Sequence, residues 1–234
     1  MTVAERLFSS RTELVAALAG EIADDLSAAI AARAGASLVA TGGSTPGPLY
    51  DALSARRIDW ARVEVTLSDE RWVDPPDPAS NEALVRARLL NGPAAAARLV
   101  PFKTAAPGPE EGAAEVEAAL AAMRRPFDVT VLGMGADGHV ASLFPHAPEL
   151  AAALDDAAGR RVCPVRREGA AGAAARLSLT RLALLDSRRI VVLIDGEEKL
   201  AVYRRAMAGD DLAAMPIRMV LQQRRAPAQV WWAP

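Results

Sequence analysis

The sequence predicts an α/β protein in which helices cover a mainly parallel sheet, and three observations carry that expectation. Leu14, Leu18, Ile22, Leu26 and Ile30 recur every four residues, the spacing of a single helix face. Short apolar runs, partly β-branched, read as buried strands at 127–133 (FDVTVLG) and 189–195 (RIVVLID). Glycine-rich turns or helix-compatible segments follow such runs, and strands alternating with helices are the mark of a parallel sheet.

Taken in order, residues 11–34 form a long amphipathic helix that closes on Gly35. A short strand at 37–41 leads through GGSTPGP (42–48) into a helix near 49–55, with proline tolerated in its first turn. The next strand, 63–67, ends at Ser68-Asp69-Glu70-Arg71. The proline-rich piece 74–78 is a loop, after which Ser80 caps a helix running to about Leu90. A helix at 110–124, the strand 127–133, a strand near 161–165, the strand 189–195 and a helix at 197–208 complete the alternation. The Gly/Ala stretch 168–175 reads as a mobile loop and not a linker, so one domain is expected over 1–234. No internal repeat is visible.

Composition narrows the functions. In 234 residues, 51% are hydrophobic, enough for a substantial core, while aromatics are only 4%, so small alanine-rich helices fill much of the volume. The 27 basic and 29 acidic residues are dispersed and leave a net charge of −2, which argues against a nucleic-acid footprint or an anionic membrane surface. A single cysteine, Cys163, excludes an internal disulfide and fits a reducing compartment. The first residues hold no apolar core of signal length and no run approaches a membrane span, so a cytoplasmic location is expected.

Four motifs fall at strand ends. GGSTPG (42–47) joins strand to helix, where unpaired N–H groups and the Ser44 and Thr45 hydroxyls can receive a phosphate; a capped glycine turn is the plain alternative, and no Walker A lysine is present. Arg71 could orient an anionic or hydroxyl-rich ligand, although Asp69-Glu70-Arg71 also reads as a surface ion-pair cluster. Lys199 falls in the first turn of a helix, where a cation is disfavoured by the helix dipole unless a bound anion offsets it; a solvated lysine is the equally weighted plain alternative. GMGADGH (133–139) places Asp137 and His139 at the carboxyl end of a strand, where open sheets bind ligands. An unperturbed imidazole titrates near neutrality, so His139 is a candidate general base for hydrolysis, with an adjacent carboxylate to set its tautomer. The same turn matches G-x-G-x-x-G, but Pro145 ends the following segment before a dinucleotide-type helix could form. His146 is placed on a loop without a role, no His/Cys/Asp spacing supports a metal, and no G-x-S-x-G elbow is present.

In order and spacing, GGSTPGPLYDAL, LSDERWV followed by Ser80-Asn81, VLGMGADGHVASLFP, RLSLT (176–180) and DGEEK resemble the 6-phosphogluconolactonase family over nearly the whole chain. The histidine motif is shared with the wider group that contains glucosamine-6-phosphate deaminases. Those enzymes resemble G-H-x-A-F-N-E-P, with a carboxylate where this chain has Phe144, and usually carry Asp-Glu-Tyr where it has Asp69-Glu70-Arg71. The resemblance implies a single-domain, Rossmann-like three-layer fold and cofactor-free, metal-free hydrolysis of 6-phospho-D-glucono-1,5-lactone in the pentose phosphate pathway. It implies His139 as general base, Asp137 orienting it or holding substrate hydroxyls, Arg71 and Lys199 on the anionic substrate, and Gly43, Ser44 and Thr45 around the phosphate, with Arg176 and Asn81 as further binding residues. The expected partner is the small sugar-phosphate lactone, without nucleic acid or membrane, and the expected state is a monomer or weak homodimer. Two departures are visible: His146 stands where the family commonly has glycine, and the chain ends early at VWWAP. A deaminase and a catalytically silent sugar-phosphate sensor remain the competing readings; the sensor lacks room for a DNA-binding segment ahead of the first strand.

Overall fold

A computed structural model describes residues 3–75, 77–167 and 173–234. In chain order the strands are β1 (Ala4–Leu7), β2 (Ala36–Ala40), β3 (Val63–Leu67), β4 (Asp69–Arg71), β5 (Arg98–Leu99), β6 (Val129–Leu132), β7 (Val162–Arg166), β8 (Ala175–Leu179), β9 (Ile190–Asp195) and β10 (Ala228–Ala233). The helices are α1 (Arg11–Arg33), α2 (Gly47–Ser54), α3 (Asn81–Arg88), α4 (Pro109–Ala122), α5 (Leu150–Ala153), α6 (Arg181–Leu185), α7 (Gly196–Met207) and α8 (Arg218–Leu221).

Seven strands form one sheet in the order β1-β10-β9-β6-β2-β3-β5, and every neighbouring pair is parallel. From β2 the chain builds outward through β3 to β5; it then returns to place β6 on the other side of β2 and builds the opposite way through β9 and β10. The order therefore reverses between β2 and β6, which opens a crevice beyond their carboxyl ends. The turns after those two strands, 42–47 and 133–139, face each other across it.

The periodic row of α1 is buried at Leu14, Leu18, Ile22 and Leu26 against this sheet, and each such leucine contributes roughly 2 kcal/mol of transfer free energy. Ser10 caps the helix by accepting from the Glu13 N–H at 3.2 Å. At the other end the left-handed residue is Ala34, with φ of 60°, and not the expected Gly35. At Gly35 a Cβ would lie 2.3 Å from the Nε of the exposed Arg124 side chain, which would have to move aside.

Two further expectations need correction. The strand near 161–165 does not join the parallel sheet. As β7 it pairs antiparallel with β8, which pairs antiparallel with β4 in a separate three-stranded sheet. The C-terminal segment 230–233 (VWWA), to which the sequence reading assigns no strand, lies within β10, between β1 and β9, with Trp231 fully buried and stacked on Phe8 at 5.1 Å. Most of the loop expected at 168–175 lies outside the described residues, and Ala175 already belongs to β8. Among the described residues no helix is long and apolar enough to cross a membrane.

Candidate active site

The side sheet is what turns a strand end into a cleft. After β3 the chain passes through Ser68, whose N–H donates to the Ala40 carbonyl at 2.8 Å, directly into β4. Pairing of β4 with β8 sets Arg71 opposite Arg176. Two guanidinium groups held side by side favour an anion between or near them. Burial depresses the Arg176 pKa first, and the neighbouring Arg71 adds to it. Asp69 and Glu70 are not a surface ion-pair cluster, being 6% and 0% exposed. The Glu70 carboxylate accepts from the N–H groups of Arg71, Asn81 and Glu82, each at 2.7 Å, and from the Ser80 hydroxyl at 3.0 Å. It thereby fastens the start of α3 to β4 and sets Asn81 in place. Burial pushes its pKa up while these donors pull it back.

The 42–47 turn is shaped by close approach. A Cβ on Gly42 would sit 1.8 Å from the Asn81 Oδ1, and Gly43 adopts φ of 95°. Tyr50, fully buried, accepts from the Thr41 N–H at 2.8 Å and donates to the Thr41 carbonyl at 2.6 Å, bracing the turn where it leaves β2. The N–H groups of Gly42, Gly43, Ser44 and Thr45 make no hydrogen bond to any described residue. Such a row of free donors is an anion cradle. The Thr45 hydroxyl is committed elsewhere, donating at 3.0 Å to Asp195, which Arg11 pairs at 2.9 Å.

Across the crevice, the 133–139 turn is closed by Gly135 N–H donating to the His139 carbonyl at 2.9 Å and Gly138 N–H to the Gly135 carbonyl at 3.0 Å. The Lys199 Nζ donates to the Met134 carbonyl at 2.9 Å, Arg205 to the Ala136 carbonyl at 3.2 Å, and the Ile217 N–H to the Gly138 carbonyl at 2.9 Å. The His139 Nδ1 lies 2.6 Å from the Asp137 Oδ1, and the same oxygen accepts the His139 N–H at 3.1 Å. With a carboxylate facing Nδ1, the neutral ring carries its proton there and keeps Nε2 as the basic atom. A Cβ on Gly135 would fall 2.0 Å from Nδ1, so only glycine leaves room for the pair. The ring also contacts buried Phe144, centroid to centroid 4.6 Å.

The hydrogen bond from the His139 ring holds the Asp137 carboxyl down at about 2, against a burial that raises it. A carboxyl depressed by folding stabilises fully above its unfolded value of 3.8 and loses that contribution as pH falls toward its folded one. The gap in urea midpoint between the parent and Asp137→Asn is therefore expected to narrow as pH falls from about 5 to about 2.5. A gap independent of pH would contradict the pairing.

Gly43, Ser44, Thr45, Arg71, Asn81, His139, Arg176 and Lys199 line one cleft of about 260 Å³, joined by Asp69 and Asp195. Asp137 stands behind His139. His146 lies on a loop, exposed, with φ of 54° and its N–H on the Ala213 carbonyl at 3.0 Å. Sequence reasoning gave no role to Asp69, Glu70, Tyr50 or Asp195. Asp195 could have been found, since it ends an apolar run just as the histidine turn does; nothing in the sequence marks Glu70 as buried. Among the described residues no group of three or more His, Cys, Asp or Glu side chains is arranged to hold a metal ion.

An all-parallel sheet whose switch point carries a cation-lined cleft and a carboxylate-oriented histidine defines an α/β protein suited to a small anionic ligand. A family profile described as Glucosamine-6-phosphate isomerases/6-phosphogluconolactonase matches residues 9–232, and the chain belongs to that family. A 6-phosphogluconolactonase of Rhizobium meliloti (strain 1021) is 43% identical over 234 residues, covering 100% of both chains. One from Mesorhizobium japonicum is 45% identical over 227 residues, 97% of this chain and 94% of the relative. The crystal structure of a 6-phosphogluconolactonase from Shewanella baltica OS155 superposes with a TM-score of 0.96 at 43% identity, covering 99% of this chain and 98% of the other.

Proposed function

We propose that the protein hydrolyses 6-phospho-D-glucono-1,5-lactone to 6-phospho-D-gluconate, with His139 as general base. The observation that carries this reading is the 2.6 Å pairing of His139 Nδ1 with Asp137, which leaves Nε2 basic at the wall of a cleft otherwise rich in cations and free N–H groups. The full-length similarity to 6-phosphogluconolactonases supports the substrate.

The phosphate sits on the 42–45 N–H groups with Arg71 and Lys199 nearby, and Asn81 and Arg176 hold the sugar. His139 Nε2 takes a proton from water as its oxygen bonds to the lactone carbonyl carbon. The carbonyl oxygen becomes an oxyanion. As the carbon–ring oxygen bond breaks, the imidazolium returns the proton to the ring oxygen, giving a free hydroxyl and a carboxylic acid that ionises in water. Asp137 fixes the ring and offsets its transient positive charge. Phe144 offers no acid at the position where the deaminases carry one, so hydrolysis is served and amino-group chemistry is not.

The test is the loss of lactone generated in situ by glucose-6-phosphate dehydrogenase, corrected for spontaneous hydrolysis. Acceleration by the protein is expected. Ammonia release from glucosamine 6-phosphate with no effect on the lactone would move the assignment to the other branch of the family. Lys199→Met is expected to raise KM about 10- to 100-fold, the worth of one charge-assisted bond, with a smaller fall in kcat. An unchanged KM would remove Lys199 from the phosphate site.

A further inference from the structure

We infer that the backbone N–H of Ala141 is a donor to the oxyanion formed at the lactone carbonyl, an assignment that rests on the hydrolase reading above. Ala141 lines the cleft two residues beyond His139 and adopts φ of 50°. That left-handed conformation is unfavourable for a residue bearing a Cβ, and such strain persists only where the surroundings over-determine it.

The surroundings do so here. The turn from Val140 to Leu143 is closed by the Leu143 N–H on the Val140 carbonyl at 2.9 Å. Ser142 is held from both ends: its N–H donates to the Ser178 hydroxyl of β8 at 3.2 Å, and its own hydroxyl donates to the Asp69 Oδ2 at 2.6 Å. Arg176 reaches the Ser142 hydroxyl at 3.4 Å, and Ser68 occupies the other Asp69 oxygen at 2.9 Å. Buried Asp69 thus acts as a positioning residue that locks a strained turn in the cleft wall.

Within this stretch the N–H groups of His139, Val140, Ser142 and Leu143 all have acceptors, whereas that of Ala141 makes no hydrogen bond to any described residue. A donor held rigidly and left unused beside the general base is what stabilisation of developing charge requires, because no reorganisation is needed when the charge appears.

The direct test replaces the Ala141 amide by an ester, by incorporating lactic acid at that position. The methyl group stays, and between described residues only one hydrogen bond is touched: the Val140 carbonyl becomes an ester carbonyl and accepts the Leu143 N–H more weakly. The ester protein is expected to lose about 10²- to 10³-fold in kcat with little change in KM. Rates within about two-fold of the unmodified protein would overturn the inference. Should the ester fail to fold, 6-phosphogluconate, which presents a carboxylate at the same carbon, is titrated into ¹⁵N-labelled unmodified protein. The Ala141 amide proton is expected to move downfield, and no movement at saturation overturns the inference. An inactive unmodified protein would instead sink the hydrolase reading itself.

Discussion

His139→Ala is expected to lose about 10²- to 10⁴-fold in kcat for lactone hydrolysis, the range supplied by a positioned acid–base group. KM is expected to stay close to the parent value, because the groups proposed to hold the phosphate lie on other elements, at 42–45, Arg71 and Lys199. The 133–139 turn is closed by main-chain bonds and by α7, so removing the imidazole leaves its frame intact. The rate must be read above the uncatalysed background, which sets the floor of the assay. A variant that hydrolyses the lactone at the parental rate would show that another group activates the water.

Glu70→Ala is expected to be among the most destabilising single changes in the chain, by about 3 kcal/mol or more, since it strands several buried donors at once. The N–H groups of Arg71, Asn81 and Glu82 and the Ser80 hydroxyl all converge on this carboxylate, and Glu70 is 0% exposed. Glu70→Gln is expected to fall between: its amide oxygen can accept from one pair of donors, but its NH₂ then faces the other pair. Urea denaturation measures both. A midpoint for Glu70→Ala within error of the parent would mean that the α3 start is held by something else. Because the same carboxylate sets Arg71 and Asn81, any folded fraction of these variants is expected to bind substrate more weakly.

The contrast between these two residues shows what the sequence could reveal. His139 was legible because glycine spacing, an apolar strand and one of only two histidines coincide at a strand end, and the parallel sheet followed from the alternation of 3.6-residue and strand patterns. Glu70 was not. A carboxylate in a three-residue strand has no periodicity to betray its burial, and three of its four donors come from a helix start about ten residues on. The antiparallel sheet of β4, β8 and β7 was hidden for a related reason: its strands are short, and β4 pairs with β8 across about a hundred residues, where local pattern says nothing about partner or direction. The helix end at Ala34 shows the limit of turn chemistry. The sequence closes the helix on Gly35, whereas Ala34 carries the positive φ and its N–H caps the helix on the Ile30 carbonyl.

Of the sequence-derived site residues, all but Asp137 reach the cleft wall, and Asp137 stands one bond behind, on the His139 ring. Thr45 differs in detail: its hydroxyl is tied to Asp195, so its main-chain N–H is the group left to meet a phosphate.

The orientation of bound product separates this site assignment from its alternatives. A crystal structure with 6-phosphogluconate is expected to show the phosphate against the 42–45 N–H groups with Arg71 or Lys199 in contact, and the product carboxylate within hydrogen-bond distance of His139 Nε2 and the Ala141 N–H. The reverse orientation, with the phosphate on His139, or a ligand seated outside the cleft, would contradict it.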